Sequence, residues 1–290
     1  MKILNIGSLN IDDVYSLDHF VKPGETIAST AYTQFCGGKG LNQSIALANA
    51  GAEIFHAGII GKDGLFLKER LDKAGVDTSL VKISQTPTGR AIIQVIPEGE
   101  NCIILFKGAN HSLTENDITE MLTPFKKGDL LLLQNEINNI ELIINKAFDK
   151  GMIIAINPAP MEDSILKLPL NKISIFIVNE IEGEGFTGES EPAAIGEKFL
   201  NLYPDSKLVL TLGEKGVYYR DNKTTIKVPA EKIKPVDTTA AGDTFIGFFL
   251  AGLAEGEDPE KCLQRATKAS AITCTRAGAA DSIPLRNEVK

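Results

Sequence analysis

Residues 237 to 245 read Asp237-Thr238-Thr239-Ala240-Ala241-Gly242-Asp243-Thr244-Phe245, and small and apolar residues follow to Leu253. This pattern predicts a helix that begins near Ala241. The first four N–H groups of a helix lack partners and its dipole is positive there, so a start built from small residues can bind an anion. Asp243 lies among those donors and suits the transfer of a phosphoryl group to an alcohol, as the acceptor of the hydroxyl proton. The same residues also fit an ordinary core helix that Asp243 caps.

The composition predicts a globular protein rather than a disulfide-rich, membrane or nucleic-acid-binding one. The chain has 290 residues, of which 43% are hydrophobic, which fits one large domain or one domain with a small appendage. A net charge of −8 argues against binding to nucleic acid or to an anionic membrane. The four cysteines form no CxxC pair and the three histidines show no metal-binding spacing. No signal peptide or membrane-spanning run is evident, so we expect a cytoplasmic protein with reduced thiols.

Short apolar runs alternate with helical patterns through most of the chain. Strands are predicted at residues 2–7, 54–60, 130–134, 152–156, 173–178 and 207–212. Helices are predicted at residues 39–50, 64–74, 115–122, 140–149, 192–202, 241–255 and 259–276. This alternation is typical of an α/β fold with a mainly parallel sheet flanked by helices. Ligands of such sheets bind beyond the carboxyl ends of the strands.

Two strand-rich insertions interrupt the alternation. Residues 90–96 and 101–107 flank Pro97-Glu98-Gly99-Glu100 and predict a hairpin. Residues 11–33 contain a turn at 22–26 between two extended pieces. We therefore predict one α/β domain over residues 1–290, with a small β-sheet lid built from insertions at about 11–34 and 88–110. The alternative is a pair of surface hairpins without a role. A further hairpin is predicted from residues 217–220 and 224–228.

The segment Phe35-Cys36-Gly37-Gly38-Lys39-Gly40-Leu41-Asn42-Gln43 is a candidate ligand loop. Its glycines let the backbone turn tightly against a ligand, and the amides of Asn42 and Gln43 suit sugar hydroxyls. Lys39 could serve as a point charge for a phosphate. The segment does not match the Walker A pattern, which occurs nowhere in the chain. A plain glycine-rich turn before a helix is the alternative.

Three acidic or amide residues follow predicted strands. Asn10 and Asp12 are two apart, so in an extended chain both side chains point to one face and could hold two hydroxyls. Turn formation is the alternative for this pair. Glu136 follows the strand at 130–134 in the same way, so a sugar contact and a solvated loop are both open for it.

The segment Gly183-Glu184-Gly185-Phe186-Thr187-Gly188 matches the GxGxxG pattern of dinucleotide-binding proteins. Four residues separate its first glycine from the preceding strand, and two acidic residues would crowd a pyrophosphate, so the match is weak. Asn179 and Glu182, one turn apart on a helix start, could instead hold a hydrated magnesium ion. Residues 211–216 form a glycine-containing loop after a strand.

Taken together, these segments resemble the ribokinase-like family of carbohydrate kinases, in order over essentially the whole chain. The residues that carry the resemblance are Gly7-Ser8-Leu9-Asn10-Ile11-Asp12, Pro23-Gly24-Glu25-Thr26, Gly37-Gly38-Lys39-Gly40 with Asn42-Gln43, Thr88-Gly89, Gly99-Glu100-Asn101, Gly108-Ala109-Asn110, Asn157-Pro158-Ala159-Pro160, Asn179-Glu180, Thr211-Leu212-Gly213, the segment from Asp237 to Phe245, and Thr275-Arg276-Ala277-Gly278-Ala279. Two departures are Cys36, where the family more usually has proline, and Thr267, where it often has histidine or asparagine.

The resemblance implies an ATP-dependent kinase that phosphorylates the 5-hydroxyl of D-ribose, with Mg²⁺ and K⁺ as cofactors. It implies that Asp243 is the base and that Ala240, Ala241 and Gly242 complete the anion hole with it. The implied sugar contacts are Asn10, Asp12, Gly38, Lys39, Gly40, Asn42, Glu136 and Asp243. The implied ATP contacts are Asn179, Thr211, Leu212, Gly213, Glu214, Lys215, Gly216, Gly242 and Thr267. The implied potassium ligands are Asp237, Thr239, Thr273, Arg276, Gly278 and Ser282, and Asn179 and Glu182 would lie near magnesium. The lid would form a homodimer contact.

Three other functions stay open at this point. One is a kinase of the same fold for another pentose, a ketohexose or a nucleoside. Another is a sugar- or nucleotide-sensing protein without catalysis. The last is a dinucleotide oxidoreductase built on the match at residues 183–188.

Overall fold

A computed structural model describes the whole protein, from Met1 to Lys290. The strands in chain order are β1 (Ile3–Ile6), β2 (Asn10–Ser16), β3 (Ala31–Gly37), β4 (Ile54–Gly61), β5 (Asp77–Ser84), β6 (Gly89–Val95), β7 (Asn101–Phe106), β8 (Leu130–Gln134), β9 (Ile153–Asn157), β10 (Ile175–Asn179), β11 (Lys207–Thr211), β12 (Val217–Arg220) and β13 (Thr225–Val228). The α-helices are α1 (Lys39–Asn49), α2 (Leu65–Lys73), α3 (Glu115–Leu122), α4 (Ile140–Asp149), α5 (Glu180–Thr187), α6 (Pro192–Leu202), α7 (Ala241–Ala254) and α8 (Pro259–Cys274).

A nine-stranded sheet forms the body of the protein, in the order β13-β12-β11-β10-β9-β8-β1-β4-β5. Its strands pair in parallel except for β12 and β13, which form an antiparallel edge. The predicted α/β class is confirmed. Every strand and helix predicted for this body is present, with ends within two residues of the predicted ones. Strand β5 and the extent of helix α5 were not predicted from the sequence.

Helices cover both faces of the large sheet. One core of 35 buried residues lies between the sheet and α1, α2, α7 and α8. A second core of 31 buried residues lies between the opposite face and α3, α4, α5 and α6. The central strands are therefore buried on both faces, which explains why they read as continuous apolar runs such as Leu130–Gln134. None of the helices is long and apolar enough to cross a membrane.

A separate four-stranded sheet, in the order β3-β2-β6-β7, is built from the two predicted insertions. Strand β2 pairs antiparallel with β3 and parallel with β6, and β6 pairs antiparallel with β7. The insertion boundaries are slightly wider than predicted, because β2 begins at Asn10 and β3 continues through Gly37. Gly37 therefore ends a strand. The tight turn predicted for the two glycines is made by Gly38 alone, with φ of 94°.

One ion-pair network joins the small sheet to the body. The Asp13 carboxylate is only 2% exposed and accepts hydrogen bonds from Arg90, Tyr32 and Gln34, at 2.6, 2.6 and 3.0 Å. The other guanidinium nitrogen of Arg90 donates to Asp63, 3.3 Å away in the loop after β4. Strand β2 is thus tied to the large sheet through a paired, buried charge.

Candidate active site

Helix α7 begins with a set of unpartnered amides. Ala240 precedes the helix in the left-handed conformation, with φ of 60°, and no side chain caps the helix start. The amide of Ala241 donates to the carbonyl of Thr238 at 3.2 Å and that of Thr244 to the carbonyl of Ala240 at 2.8 Å, whereas the amides of Gly242 and Asp243 between them donate to no group of the protein. A side chain added at Gly242 would meet no atom within 4 Å. Such a helix start is suited to bind an anion.

A cavity of about 220 Å³ opens in front of these amides. Its lining comprises Lys39, Asn157, Ala159, Ile177, Val178, Asn179, Glu182, Thr211, Thr238, Ala240, Gly242, Asp243 and Ile246. Five of them come from the carboxyl ends of the neighbouring parallel strands β9, β10 and β11, where ligands of this fold class bind. The helix start, the strand ends and α1 therefore converge on one space.

Asp243 faces this cavity and is held by two amide side chains of α1. Its exposed fraction is 7%. Asn42 donates from Nδ2 to Oδ2 at 3.0 Å, and Gln43 donates from Nε2 to Oδ1 at 2.9 Å. The carboxylate does not cap α7, so the alternative of a simple capping residue is wrong. The glycine-rich segment and the segment at 237–245 meet through these bonds.

Lys39 lines the same cavity from the first turn of α1. Burial lowers the pKa of its ammonium group, but the carboxylates of Asp243, Glu136 and Glu182 outweigh this effect and the pKa ends above its ordinary value. Lys39 therefore stays charged. A fixed positive charge and the bare amides of α7 border the same space.

A second, smaller cavity of about 40 Å³ lies between the small sheet and the segments that follow β7, β8 and β9. Its lining comprises Asn10, Leu105, Lys107, Asn110, His111, Asn135, Glu136, Pro160 and Glu162. The Asn10 side chain accepts from Nδ2 of Asn110 at 2.7 Å. Gly89 on the neighbouring strand leaves room for both amides, because a Cβ there would lie 2.1 Å from Asn110 and 2.4 Å from Asn10.

Glu136 borders this second cavity and contacts the start of α1. Its Oε2 atom accepts from the amide of Lys39 at 3.0 Å and from the hydroxyl of Ser8. Burial raises the pKa of the carboxyl group, and the bond from Ser8 and the charge of Lys39 act against that rise. The solvated-loop alternative for Glu136 is wrong, because the side chain is bonded on the cavity wall.

Asp12 lies on β2, two residues after Asn10 and on the same face. Burial, followed by the charges of Glu136 and Asp13, raises its pKa to about 7. Gly37 on the paired strand leaves room for the carboxylate, because a Cβ there would lie 2.0 Å from its oxygen. Both side chains project from a strand, so the turn alternative for this pair is wrong.

Gly40 has a different position from the one that the sequence led us to expect. Its amide donates to the Ser8 hydroxyl at 3.2 Å, its carbonyl accepts from Asn5 at 2.9 Å, and the residue is buried. A Cβ there would lie 2.4 Å from the amide nitrogen of Ser8. Gly40 therefore packs α1 against β1 instead of reaching the sugar. Gly38 turns the chain beside Ser8 and Asn10.

Asn179 and Glu182 line the larger cavity and bond to each other. Asn179 accepts from the amide of Glu182 at 2.8 Å, and the Glu182 carboxylate accepts from the amide and side chain of Asn179 at 2.9 and 3.1 Å. Burial raises the pKa of Glu182, against the backbone bond and the charge of Lys39. This capping box starts α5 at Glu180, so Gly183 and Gly185 lie inside a helix. The dinucleotide-binding alternative is therefore wrong.

The remaining predicted nucleotide contacts are only partly brought together. Thr211 lines the larger cavity, whereas Leu212, Gly213, Glu214, Lys215 and Gly216 form a turn beyond β11 that does not line it. Lys215 is exposed and lies 3.5 Å from Glu180. Thr267 is buried in α8, and its hydroxyl has no hydrogen-bond partner.

The predicted potassium ligands gather around the loop before α7. The Asp237 carboxylate accepts from the amides of Thr239 and Gly278 at 2.9 and 3.0 Å, which joins this loop to the segment after α8. Thr273 bonds through its hydroxyl to Thr244 of α7 at 3.0 Å. The side chains of Arg276 and Ser282 are engaged with Glu288 and with the carbonyl of Ala279, so these two residues could offer only carbonyl oxygens.

Several residues of the site were not predicted as site residues from the sequence. Asn157 ends β9 and lines the larger cavity, so the rule that singled out Glu136 and Asn179 after their strands would also have found it. Asn110 donates a hydrogen bond to the Asn10 side chain, and Gln134 donates one to the Gln43 side chain. Neither could be found from spacing, because each acts through a contact between distant segments.

The comparisons with known proteins agree with this geometry. A model of the pfkB family of carbohydrate kinases matches residues 1–286. The ribokinase of Haemophilus influenzae is 37% identical over 298 residues, covering 98% of this chain and 95% of that protein. The crystal structure of a Cryptococcus neoformans ribokinase in complex with ADP has a TM-score of 0.88 and 35% identity, and covers 99% of this chain and 98% of its own.

A further solved structure holds both substrates of its enzyme. The Arabidopsis thaliana ribokinase complexed with ribose and ATP has a TM-score of 0.88 and 27% identity, and covers 99% of this chain and 97% of its own. Family match, relatives and fold agree over nearly the whole length. This chain belongs to the pfkB family of carbohydrate kinases.

Proposed function

We propose that this protein transfers the terminal phosphoryl group of ATP to the 5-hydroxyl of D-ribose. The observation that carries the proposal is the Asp243 carboxylate, which faces a cavity beside the unpartnered amides of Gly242 and Asp243 itself. The carboxylate takes the hydroxyl proton, and the amides stabilise the charge of the phosphoryl group during transfer. The named substrates of the related ribokinases, ribose and ATP, support the choice of sugar and donor.

The smaller cavity is the proposed sugar site. Asn10 and Glu136 line it, and Asp12 projects from the same face of β2 as Asn10. Carboxylate oxygens accept hydrogen bonds from hydroxyls, and an amide can both donate and accept, so the three side chains suit a polyhydroxy ligand. The Glu136 carboxylate bonds to the amide of Lys39, which also lines the larger cavity. The sugar and the phosphates would thus meet at the start of α1.

The larger cavity is the proposed ATP site. Lys39 supplies a charge that stays positive, and the start of α7 supplies amides, which together suit a triphosphate. Asn179 and Glu182 already hold each other, so they fit contacts to the water shell of a magnesium ion. When bound, magnesium neutralises charge on the phosphates.

A potassium ion fits the loop before α7. Asp237 is the one carboxylate among the residues predicted there, and the others offer hydroxyl or carbonyl oxygens. Oxygen ligands with a single negative charge suit a monovalent cation better than a divalent one. Because Asp237 already joins Thr239 to Gly278, an ion there would stiffen the approach to the unpartnered amides.

The four-stranded sheet is the proposed lid and dimer surface. Phe35, Ile103 and Leu105 are 41%, 54% and 46% exposed, and strand pairing places Phe35 and Leu105 on the same face as Asp12. Leu105 also lines the sugar cavity. An exposed apolar face of this kind marks an interaction surface, and a second copy of the chain would cover it. The protein would work in the cytoplasm, where ATP is available and its four free cysteines stay reduced.

The decisive experiment measures ADP release with ribose, 2-deoxyribose, fructose, adenosine and no sugar, with and without potassium. We expect ribose to give the highest kcat/KM. The variant Asp243→Asn should lose about 10²–10⁴-fold in kcat while still binding ATP, since it removes the proton acceptor and keeps the shape. A variant that keeps more than about a tenth of the wild-type rate would contradict a role as general base. Absence of turnover with every sugar would favour a sensing protein instead.

A further inference from the structure

A chain of buried hydrogen bonds runs from Asp243 into the centre of the large sheet. Gln43 donates to Asp243 at 2.9 Å, and Gln134 donates from Nε2 to Oε1 of Gln43 at 2.7 Å. The same Nε2 atom donates to Oδ1 of Asn5 at 2.9 Å. Asn5, Gln43 and Gln134 are at most 1% exposed. None of these contacts is needed to hold the strands together, because the backbone bonds do so.

The direction of the Gln43 amide is set by the groups that it contacts, which also include Asn157, whose Oδ1 accepts from Nε2 of Gln43 at 3.4 Å. An ionised carboxylate only accepts hydrogen bonds, so Gln43 must present its NH₂ group to Asp243. Its carbonyl oxygen then points away and needs a donor, which is the NH₂ group of Gln134. Without that donor, the buried carbonyl oxygen of Gln43 would lose its hydrogen bond, and the Gln43 side chain would be held less firmly against Asp243.

The direction of the Gln134 amide is set in turn by Asn5. Asn5 donates from Nδ2 to the carbonyl of Gly40 and to the hydroxyl of Ser44, both at 2.9 Å, so its Oδ1 atom faces Gln134. Ser44 then bonds to Nδ1 of His56 at 2.8 Å. His56 is fully buried, and burial lowers its pKa to about 3, so the ring is neutral and can accept this bond. Every link therefore has one consistent polarity.

Stability alone does not account for these polar groups. Oε1 of Gln134 is buried without a partner. The glycine at position 7 leaves room for this oxygen, because a Cβ at Gly7 would lie 2.4 Å from it. Unpartnered buried polar atoms cost stability, whereas apolar groups of the same shape would not. A fold that keeps them against this cost gains something other than stability from them.

We infer that Gln134 is a positioning residue for the reaction: it fixes the amide of Gln43 so that Gln43 donates to Asp243 and holds that carboxylate aimed into the cavity. The inference rests on the proposed function, in which Asp243 is the base. Gln134 itself touches neither cavity, so its effect on turnover would pass entirely through Gln43.

The test uses Gln134→Met, which keeps the length of the side chain and removes both its donors. Loss of a hydrogen bond to a carboxylate disfavours the charged form, so the acid limb of the kcat–pH profile should move to higher pH. At neutral pH kcat should fall by about tenfold or more, as expected for a misdirected general base, while KM for ATP stays within about twofold. Gln43→Met should shift the profile in the same direction.

The double variant Gln43→Met with Gln134→Met separates this route from general damage. If Gln134 acts through Gln43, the double variant should be no slower than Gln43→Met alone, whereas independent effects would multiply. Ser206→Ala is the matched control, because it removes a buried hydrogen bond to the carbonyl of Ile173, distant from Asp243, and should leave the profile unchanged. If Gln134→Met folds poorly, Gln134→Leu gives the same test, since a leucine side chain likewise cannot donate to Gln43.

Wild-type kcat and pH profile in Gln134→Met, or multiplicative losses in the double variant, would overturn the inference. Asp243→Asn measured in parallel distinguishes the two proposals. If Asp243→Asn is inactive and Gln134→Met is unaffected, only the positioning role fails. If Asp243→Asn retains turnover, the proposed base fails, whatever the behaviour of Gln134.

Discussion

The substitution Gly40→Ala tests how closely α1 must approach β1 for activity. The added Cβ would lie 2.4 Å from the amide nitrogen of Ser8 and 2.6 and 2.7 Å from the carbonyl carbon and Cα of Gly7. Ordinary van der Waals contact begins at 3.4 Å, so the helix must move by about 1 Å. All three neighbours are backbone atoms of the central strand region, which cannot rotate away. Helix α1 is the element that shifts.

The shift moves three groups that border the site, since α1 carries Lys39, Asn42 and Gln43. A displacement of about 1 Å in positioned groups costs about 10²-fold in rate, so kcat should fall by about that factor. Overpacking lowers the free energy of unfolding by about 1–3 kcal/mol, and the better helix propensity of alanine raises it by about 0.5–1 kcal/mol. The net loss of unfolding free energy should therefore be modest, on the order of 1 kcal/mol.

Steady-state ADP release and urea unfolding measure the two effects on the same preparation. Gly185→Ala is the control, because its Cβ would meet only the flexible end of Met161, at 2.9 Å, in a helix that does not contact α1. This control should keep its kcat and its stability. A Gly40→Ala enzyme with kcat within about twofold of wild type would refute the argument that the α1–β1 spacing sets the geometry of the site.

Three further predictions concern charge, shape and ion binding. Because the pKa of Asp12 is raised to about 7, the fraction of charged carboxylate should fall about tenfold from pH 8 to pH 6, and KM for ribose should rise about as much. Kinetics at both pH values should show this rise in KM in the wild type and not in Asp12→Asn. In Gly242→Ala the added methyl group contacts no protein atom, so the temperature of thermal unfolding should be unchanged. The methyl group enters the space proposed for the phosphates and should raise KM for ATP about tenfold or more. An unchanged KM would place the phosphates elsewhere. Exchange of potassium for a large organic cation should lower kcat in wild type, and Asp237→Asn should reduce this dependence; equal activation of both proteins would contradict a cation site at Asp237.

Much of the architecture could be predicted because it depends on local signals. The buried strands are short apolar runs between amphipathic helices, and Leu130–Gln134 is recognisable from five residues. Strand β5 was missed because Asp77–Ser84 mixes polar and apolar residues at the edge of the sheet. Helix α5 lacked a predicted extent because glycines within Glu180–Thr187 weaken its propensity, and the capping box overrides that weakness.

The site could be predicted only where one segment contains the chemistry. Asp243 and the small residues before it form a recognisable unit, and the structure brings them to one cavity with Lys39. Gly40 could not be assigned correctly, because its packing against β1 depends on a segment more than thirty residues away. Gln134 gave no signal for the same reason, since its partners come from β1 and α1.

The two faces of β2 have a consequence for how the enzyme would respond to its ligands. One face carries Asn10 and Asp12, and the other carries Asp13, which Arg90 ties to the loop after β4. A tilt of the small sheet that stretches the Arg90–Asp63 contact would displace the groups proposed to hold the sugar on the same rigid strand. Sugar affinity and lid angle would then be thermodynamically linked, and the link is reciprocal. A neighbouring subunit that restrains the sheet would alter the affinity for sugar without touching it.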